Sequence, residues 1–380
     1  MIKIPFMKQT ITVIFGHFDP KQYSGGVFSM KLSVIMPIYN CEKYIEKAIG
    51  SVLSQGVESF EIIAVDDFSQ DNSAEILYSL AKREPRIKAH FNEKNIGVAA
   101  TRNKALALAR GEYVTFCDAD DTVTDGAYLG MLRDIKDSDV LIAGYADTND
   151  SGDSHISKVM GCDRRSAFLS LFSVCCLWNK LFRRASLKDL SFDEDMKIGE
   201  DVVFLSRYAV MRPNFRVSRR IVYNHFHHGN ASFASLTHIY SYSAFTEHIK
   251  CRERMLDICD TGGISECRDY VFLRFSEYLD RFIPFIADEE ERRRAFELYK
   301  SFMTKYDWSA HASDFFGITG VDFGDFLASD AESYIRLKCE TPPRKKLLHE
   351  FETGKIGFRW ILKYFAAWLG FKLKRISRTQ

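Results

Sequence analysis

The sequence lacks the features that mark several large classes of protein. Its 380 residues carry a formal net charge of +1, and without an excess of positive charge we expect no nucleic acid among its partners. Its nine cysteines include no CxxC pair, so the thiols are expected to be reduced, as in the cytoplasm. No apolar run reaches the roughly 20 residues that a bilayer-spanning helix needs. These absences predict a globular protein of the cytoplasm.

The first 30 residues differ from the rest of the chain. They show no clear hydrophobic period, and residues 1–15 have neither the continuous apolar core nor the small-residue cleavage site of a signal peptide. Met30 stands directly before a strand-like run. We therefore expect residues 1–30 to form an N-terminal extension, with Met30 as a candidate start of translation.

From residue 32 onward, short β-branched runs alternate with amphipathic helical segments. This alternation is typical of a parallel sheet built from βα units and predicts an α/β fold. Asn40 is a candidate N-cap of the first helix, and Gly111 a candidate left-handed stop after the third. The predicted strands are 32–36, 61–65, 87–91, 113–117 and 140–145, and the predicted helices include 44–53, 98–109 and 201–211.

Beyond residue 236 the pattern changes to helices alone. An apolar stripe between 271 and 286 predicts an amphipathic helix that is kinked near its end by Pro284. We accordingly expect an α/β domain at 31–235, a helical C-terminal domain at 236–342 and a basic tail at 343–380.

Three carboxylates, Asp118, Asp120 and Asp121, follow directly after the apolar strand predicted at 113–117. Clustering this much like charge is costly unless a cation compensates it. Mg²⁺ or Mn²⁺ takes oxygen ligands from one or two carboxylates and completes its shell with water and phosphate oxygens. The segment therefore predicts a metal site that neutralises a diphosphate leaving group. The alternative is a solvated acidic turn that caps the next helix.

A second acidic pair, Asp66 and Asp67, ends the second predicted strand. Its carboxylates can accept from a base N–H or a ribose hydroxyl, or they can belong to a helix-capping loop. A glycine-containing loop at 95–97 leads into the helix that carries Arg102, a side chain suited to phosphate or base. Ligands collect beyond the carboxyl ends of the strands in an open α/β sheet, so we expect these loops to face one site.

The motifs, taken with their order and spacing, resemble the family-2 glycosyltransferases of GT-A fold over about residues 31–232. The resemblance is carried by SVIMPIYN at 33–40, VDDFSQD at 65–71, TRN at 101–103, DADD at 118–121, LWNKLFR at 177–183 and GEDVVF at 199–204. It implies a nucleotide-diphospho-sugar transferase with a Rossmann-like mixed sheet. It also implies a divalent metal, inversion at the transferred sugar, UDP as the usual nucleotide and a product in bacterial surface polysaccharide.

The resemblance assigns roles to individual residues. Asp120, with Asp118, would hold Mn²⁺ or Mg²⁺ on the diphosphate. Asp201 would deprotonate the acceptor hydroxyl and forms the catalytic pair with Glu200, although on the residues alone both could cap the helix that follows. Contacts to the nucleotide-sugar are expected at Pro37, Tyr39, Asn40, Asp66, Asp67, Arg102, Asp118 and Ala119.

The remaining assignments concern the acceptor and closure of the site. Contacts to the acceptor are expected at Trp178, Asn179 and Lys180, and closure over the diphosphate or the metal at His225, His227 and His228. The alternatives are a core tryptophan and a surface histidine cluster at a strand end. Phe68 stands where the family more often has glycine, which would narrow the loop near the nucleotide.

The tail carries the basic charge of the chain. Between 344 and 380 there are ten Lys and Arg residues against two Glu, and Lys355, Arg359 and Lys363 recur at helical spacing among aromatic residues. This predicts an interfacial amphipathic helix, held to an anionic leaflet by roughly 1 kcal/mol per basic side chain. Such a tail would place the protein at the inner face of the cell membrane, near a lipid-linked acceptor. The alternative is a helix that packs on the C-terminal domain.

Two other functions remain open on the sequence. The run DADDT at 118–122 also fits the DxDxT loop of haloacid dehalogenase-type phosphohydrolases, but that loop normally follows the first strand of its fold, whereas three βα units precede it here. The second is a non-catalytic membrane scaffold that binds a sugar nucleotide. The intact Asp120 and Asp201 argue against a scaffold.

Overall fold

The computed structural model describes most of the chain between residues 30 and 340. The described residues are 30–149, 154–157, 176–227, 240–263, 282–312 and 321–340, with positions 171, 268, 271, 272, 276, 315 and 319. The predicted N-terminal extension, up to residue 29, and the predicted basic tail lie outside them. Among the helices within these ranges, none has the length and apolar character needed to cross a membrane.

The α/β pattern predicted from the sequence is confirmed. The strands are β1 (Leu32–Ile38), β2 (Phe60–Asp66), β3 (Ile87–Phe91), β4 (Tyr113–Phe116), β5 (Thr122–Val123), β6 (Val140–Asn149), β7 (Ser154–Ser157), β8 (Lys180–Arg183) and β9 (Phe215–His227). The α-helices are α1 (Ile45–Leu53), α2 (Ser73–Arg83), α3 (Val98–Leu108), α4 (Ala127–Asp134), α5 (Glu200–Val210), α6 (Tyr242–Gly262), α7 (Glu289–Lys305), α8 (Phe323–Ala328) and α9 (Ala331–Glu340).

The strands form one mixed sheet, in the order β3-β2-β1-β4-β8-β6-β9-β5, with β7 paired to β6. The first four strands in this order run parallel, and β8 runs antiparallel to β4. Ile38 pairs with Asp66, and Asp66 pairs with Phe91, so the parallel strands end in register. The loops after β1, β2 and β4 therefore emerge at one edge of the sheet.

Helices cover both faces of this sheet. The side chains of β1 and β2 that pack with α1, α2 and α4 form one apolar cluster, and those that pack with α3 and α5 form another. Both faces of the parallel strands are buried, which explains why these strands read as nearly continuous apolar runs.

The helices after residue 236 share a core with the sheet. Ile35 of β1 and Phe116 of β4 belong to the same apolar cluster as Phe245 of α6 and Phe296 of α7. The described residues of the stripe predicted at 271–286 include Val271, Phe272, Phe282, Ile283 and Ile286, all buried. Pro284 lies in the short 3-10 helix Ile283–Phe285, at the end of that stripe.

The predicted helices 44–53 and 98–109 agree with the structure to within one residue, but the capping roles predicted for Asn40 and Gly111 are wrong. Helix α1 begins only at Ile45, and Asn40 instead has a φ of 50° and accepts through its side-chain oxygen from the backbone N–H of Gln70, at 2.7 Å. Helix α3 ends at Leu108 without a left-handed residue, because Ala109 is extended.

Gly111 has a different role, which is to let the α3–β4 turn approach β1. A Cβ atom at this position would lie 2.4 Å from the backbone nitrogen of Ser33. The Gly111 N–H donates to the Ser33 hydroxyl at 2.8 Å, and that hydroxyl donates to the buried Glu61 at 2.7 Å. The turn is therefore joined to β1 and β2 through a buried polar network.

Replacing Gly111 with alanine is expected to destabilise the protein by about 1–3 kcal/mol, because the new methyl group would meet rigid backbone and force it to shift. Urea unfolding at an unchanged m-value measures the effect. Gly50→Ala is the control, since nothing lies within 4 Å of the added Cβ on helix α1, and it should stabilise by about 0.5–1 kcal/mol. Equal stability of the two variants would contradict this account of Gly111.

Candidate active site

The acidic segment after β4 lies at the edge of the sheet where the parallel strands end. Asp118 is partly exposed, and its backbone N–H donates to the Tyr223 hydroxyl at 3.0 Å. Asp120 is exposed, whereas Asp121 is 2% exposed and accepts from the backbone N–H of Phe226 at 2.7 Å. Strand β9 therefore holds this segment from one side, with the exposed Asp120 turned to solvent.

A buried guanidinium joins this segment to helix α5. Arg102 of α3 is 8% exposed and donates from Nη1 to Glu200 at 2.5 Å and from Nη2 to Asp118 at 3.1 Å. Burial alone would lower the pKa of Arg102, but Asp118 and Glu200 outweigh it and raise the pKa above its ordinary value. The guanidinium is thus a fixed positive charge between the two acidic motifs.

Glu200 and Asp201 form the first turn of α5. Gly199 precedes them with a φ of 80°, and a Cβ on Gly199 would lie 2.6 Å from the Cys251 sulfur of α6. Only glycine allows this close approach, so α6 supports the start of α5 from behind.

The two carboxylates of this turn have different environments. Glu200 is buried against Arg102, whereas Asp201 is half-buried and accepts from the backbone N–H of Val202 at 2.7 Å. Burial, together with the neighbouring charge of Glu200, raises the pKa of Asp201 above its ordinary value. Asp201 is therefore the carboxylate of this turn whose pKa is raised, while Glu200 is engaged by Arg102.

The acidic segment fits a divalent cation in its chemistry. Burial, and after it the charges of Asp120 and Asp118, raise the pKa of Asp121 to about 9, and a cation would relieve the part that comes from the neighbouring charges. Within the described ranges, no three acidic, histidine or cysteine side chains form a complete metal cage. A divalent ion at the acidic segment would take one or two carboxylates and its other ligands from water and phosphate.

Asp66 and Asp67 are part of the framework of the loops. Asp66 is 2% exposed and accepts from both the backbone N–H and the hydroxyl of Ser69. Asp67 is 4% exposed and accepts from the backbone N–H groups of Ile96 and Gly97, at 2.9 and 2.8 Å. Asp66 and Asp67, which were predicted to contact the ligand, are thus buried, and their carboxylates bind the loops after β2 and β3.

The other residues predicted to contact the nucleotide lie at the same edge with different exposure. Tyr39 is 51% exposed, Pro37 and Asn40 are partly exposed, and Ala119 is buried. Tyr39 therefore offers the largest accessible surface among them.

Trp178 belongs to an aromatic stack with Tyr223 and His225 of β9. Its ring packs on Tyr223, with centroids 4.3 Å apart and planes 8° from parallel, and lies 5.5 Å from the His225 ring. His225 Nδ1 is 2.8 Å from Asp147 Oδ1. Since Trp178 is 6% exposed, the core alternative describes it better than a wall in contact with the acceptor, and His225 is the accessible end of the stack.

Asn179 and Lys180 are fully buried, which corrects the expectation that they contact an acceptor directly. The Asn179 amide donates to the Ala143 carbonyl at 2.7 Å, and the Lys180 ammonium donates to the Cys176 carbonyl and to the Asn179 side chain. Asn179 and Lys180 therefore stabilise the protein interior next to the site. The backbone of His227 ends β9, while its side chain and His228 lie outside the described residues.

Two side chains near the site, Tyr223 and Asp147, were not predicted from the sequence, and neither was the burial of Asp121. Tyr223 and His225 lie on one face of β9, and alternation along the strand was a signal that could have found Tyr223. Asp147 pairs with His225 only through the register of β6 and β9. No local sequence pattern announces that pairing.

Two cavities adjoin the site without containing its exposed carboxylates. One, of about 800 Å³, lies between α3 and residues 184–195, and the other, of about 520 Å³, lies beside the loop after β3. The candidate site is therefore identified by its acidic residues and by its place at the ends of the parallel strands, and not by an enclosed cavity.

Known proteins resemble the chain in this region. The family model described as Glycosyl transferase family 2 matches residues 33–191. Glycosyltransferase GlyA of Streptococcus pneumoniae is 32% identical over 190 residues, covering 45% of this chain and 27% of GlyA. The minor teichoic acid biosynthesis protein GgaB of Bacillus subtilis is 29% identical over 209 residues, covering 52% of this chain and 23% of GgaB. The chain thus spans about a quarter of the length of these two relatives.

Solved structures share the fold. The crystal structure of S. aureus TarS 1-349 in complex with UDP-GlcNAc superposes with a TM-score of 0.58 at 21% identity, covering 86% of this chain and 92% of that chain. The mixed sheet with its helical C-terminal region is accordingly a GT-A fold. Residues 33–191 are therefore similar in sequence to the family-2 glycosyltransferases.

Proposed function

We propose that this protein transfers a sugar from a nucleoside-diphosphate-sugar donor to a hydroxyl group of a saccharide or lipid-linked acceptor. The observation that carries the proposal is the Arg102 bridge between Asp118 and Glu200. It ties the acidic segment, which suits the divalent ion of a metal-bound diphosphate, to the turn that bears Asp201. Glycosyl transfer needs such an arrangement, because a base must act on the acceptor while the leaving diphosphate is held opposite.

On the donor side, Asp120 and Asp118 are the proposed ligands of Mn²⁺ or Mg²⁺, and the ion would neutralise charge on the departing diphosphate. Tyr39, Pro37 and Ala119 are proposed to line the nucleotide. UDP-sugars, with a hexose or an acetylhexosamine, are the first donors to test, because TarS 1-349 shares the fold and was crystallised with UDP-GlcNAc.

On the acceptor side, Asp201 is the proposed general base. The acceptor oxygen attacks the anomeric carbon while its proton passes to the Asp201 carboxylate. The bond from that carbon to the diphosphate oxygen breaks, and its electron pair leaves with the nucleoside diphosphate. Attack opposite the leaving group inverts the anomeric configuration. The raised pKa of Asp201 supports this role near neutral pH.

Glu200 is proposed to position groups rather than to transfer the proton. It binds the Arg102 guanidinium, and its charge contributes to the raised pKa of Asp201. His225, oriented by Asp147, is proposed to face the acceptor or the diphosphate together with the other histidines at the end of β9.

The proposed acceptor belongs to a bacterial surface polysaccharide. GgaB, a relative over 52% of this chain, is named for minor teichoic acid biosynthesis. The basic aromatic tail predicted at 343–380 would hold the enzyme at the inner face of the membrane, where lipid-linked saccharides are accessible. The phosphohydrolase alternative has less support, since the acidic segment follows the fourth strand and lies within the family-2 match.

Asp120→Asn is expected to abolish the metal dependence of nucleotide binding, because it removes the exposed carboxylate proposed to hold the ion. Calorimetric titration of UDP, GDP, CDP and dTDP, with and without Mn²⁺, measures it. Asp137→Asn, an exposed acid after α4, is the control and should bind as the wild type does. Unchanged metal dependence in Asp120→Asn would remove this residue from the metal site.

Asp201→Asn is expected to lower kcat by roughly 10²–10⁴-fold while nucleotide affinity is retained, since the variant loses the base but not the donor site. Release of nucleoside diphosphate with a cognate acceptor provides the rate, and calorimetry the affinity. Turnover close to that of the wild type would exclude Asp201 as the base.

Glu200→Gln is expected to shift the acid limb of the kcat profile to lower pH. A base acts only when deprotonated, so kcat falls as pH drops through the raised pKa of Asp201. Removing the Glu200 charge takes away one cause of that rise and leaves the Arg102 charge less compensated, and both changes lower the pKa. If the acid limb of the kcat profile stays at the same pH or moves to higher pH in Glu200→Gln, the proposed effect of Glu200 on the pKa of Asp201 is contradicted.

A further inference from the structure

We propose that Phe68 contacts the nucleobase of the donor and helps to determine its affinity. This inference rests on the proposed function and adds to it a donor-positioning residue that no motif assigns.

Phe68 follows β2 at the edge of the sheet where the site lies, and 47% of its surface is exposed. Tyr39 follows the neighbouring β1 and is 51% exposed. The Asp67 N–H donates to the Ile38 carbonyl at 2.8 Å, so the two loops begin side by side. Two large aromatic side chains therefore stand on adjacent loops at the edge proposed to bind the donor.

The backbone of Phe68 is strained. Its φ of 63° lies in the left-handed region, which a bulky side chain rarely adopts and which glycine or asparagine adopts more easily. A half-exposed ring gains less from packing than a buried one. Strain of this kind is typical of residues that serve a ligand, and here it holds an aromatic side chain at the surface.

Neighbouring contacts hold the loop in this conformation. The backbone N–H and hydroxyl of Ser69 donate to the two oxygens of Asp66, at 3.0 and 2.5 Å. The Asn40 N–H donates to the Ser69 hydroxyl at 3.0 Å, and the Asn40 side chain accepts from the backbone N–H of Gln70 at 2.7 Å. Phe68 thus lies at a corner fixed from both sides, which reduces the entropy lost when a ligand binds.

These contacts also engage the carboxylates that could otherwise recognise a base. Asp66 and Asp67 are 2% and 4% exposed and bind protein donors. Phe68 and Tyr39 are large aromatic side chains that remain accessible at this edge. Stacking on aromatic side chains stabilises a base through the π-face that every base has.

The position of Phe68 also suits the length of the ligand. In the sheet β2 is separated from β4 by β1, so at about 4.8 Å per strand the two strand ends lie roughly 10 Å apart. A nucleoside diphosphate places its ribose between base and diphosphate. A donor whose diphosphate lies at Asp120 would extend its base across the end of β1 toward Phe68.

The test compares Phe68→Gly and Phe68→Tyr with the wild-type full chain in calorimetric titrations with Mn²⁺. The probes are the nucleoside diphosphate that the wild type binds most tightly, among UDP, GDP, CDP and dTDP, and inorganic pyrophosphate. Phe68→Gly is expected to weaken nucleoside diphosphate binding about tenfold and to leave pyrophosphate binding unchanged, whereas Phe68→Tyr retains affinity for both. Because glycine relieves the strain, the Tm of Phe68→Gly is expected to equal or exceed that of the wild type.

Arg212→Gly is the matched control, since Arg212 has a φ of 53° but lies beyond the C-terminal end of α5. It should show the same direction of change in Tm and no change in nucleotide affinity. Unchanged nucleotide binding in Phe68→Gly, equal losses for nucleotide and pyrophosphate, or a lower Tm would overturn the role of Phe68 while the proposed function stands. A wild-type protein that binds none of the nucleotides would overturn the proposed function, and this inference with it.

Discussion

The buried guanidinium of Arg102 is the interaction on which the rest of the site depends. A charge that is 8% exposed is costly unless carboxylates compensate it, and Asp118 and Glu200 do so from two different elements. Removing one partner would leave an uncompensated charge in the interior. The ion pairs of Arg102 therefore fix the position of the end of β4 relative to the start of α5. Because Asp201 is adjacent to Glu200, the same constraint sets the position of the candidate base.

The second constraint is steric and comes from the packing of α6 against the start of α5. The close approach of Cys251 to Gly199 fixes where α5 begins, and α6 packs along the same apolar core as the sheet. The first turn of α5 is thus held by the ion pair between Glu200 and Arg102 on one side and by packing against α6 on the other. Both contacts are made between groups of the protein itself, so the fold holds the two carboxylates in place.

Most of the fold could be predicted from the sequence, because parallel strands buried on both faces read as continuous apolar runs and the acidic segments mark their ends. The errors at Asn40 and Gly111 have a common cause. Both residues serve contacts between separate loops, whereas capping rules consider only the local chain. Burial was likewise inaccessible to sequence reasoning. Asp67 and Lys180 carry charges that suggest a surface, and only the tertiary pairing of their loops and strands shows them enclosed.

The shared core has a consequence for how the protein unfolds. Side chains of β1, β4, α6 and α7 lie in one apolar cluster, so we expect the two domains predicted to meet near residue 235 to unfold together. Cutting the chain there would remove α6 and α7 from this cluster and expose apolar side chains of α5, which α6 packs against. The C-terminal helices therefore contribute to the cooperativity of the catalytic half, and their loosening and the loss of the aligned carboxylates are expected to be one transition rather than two.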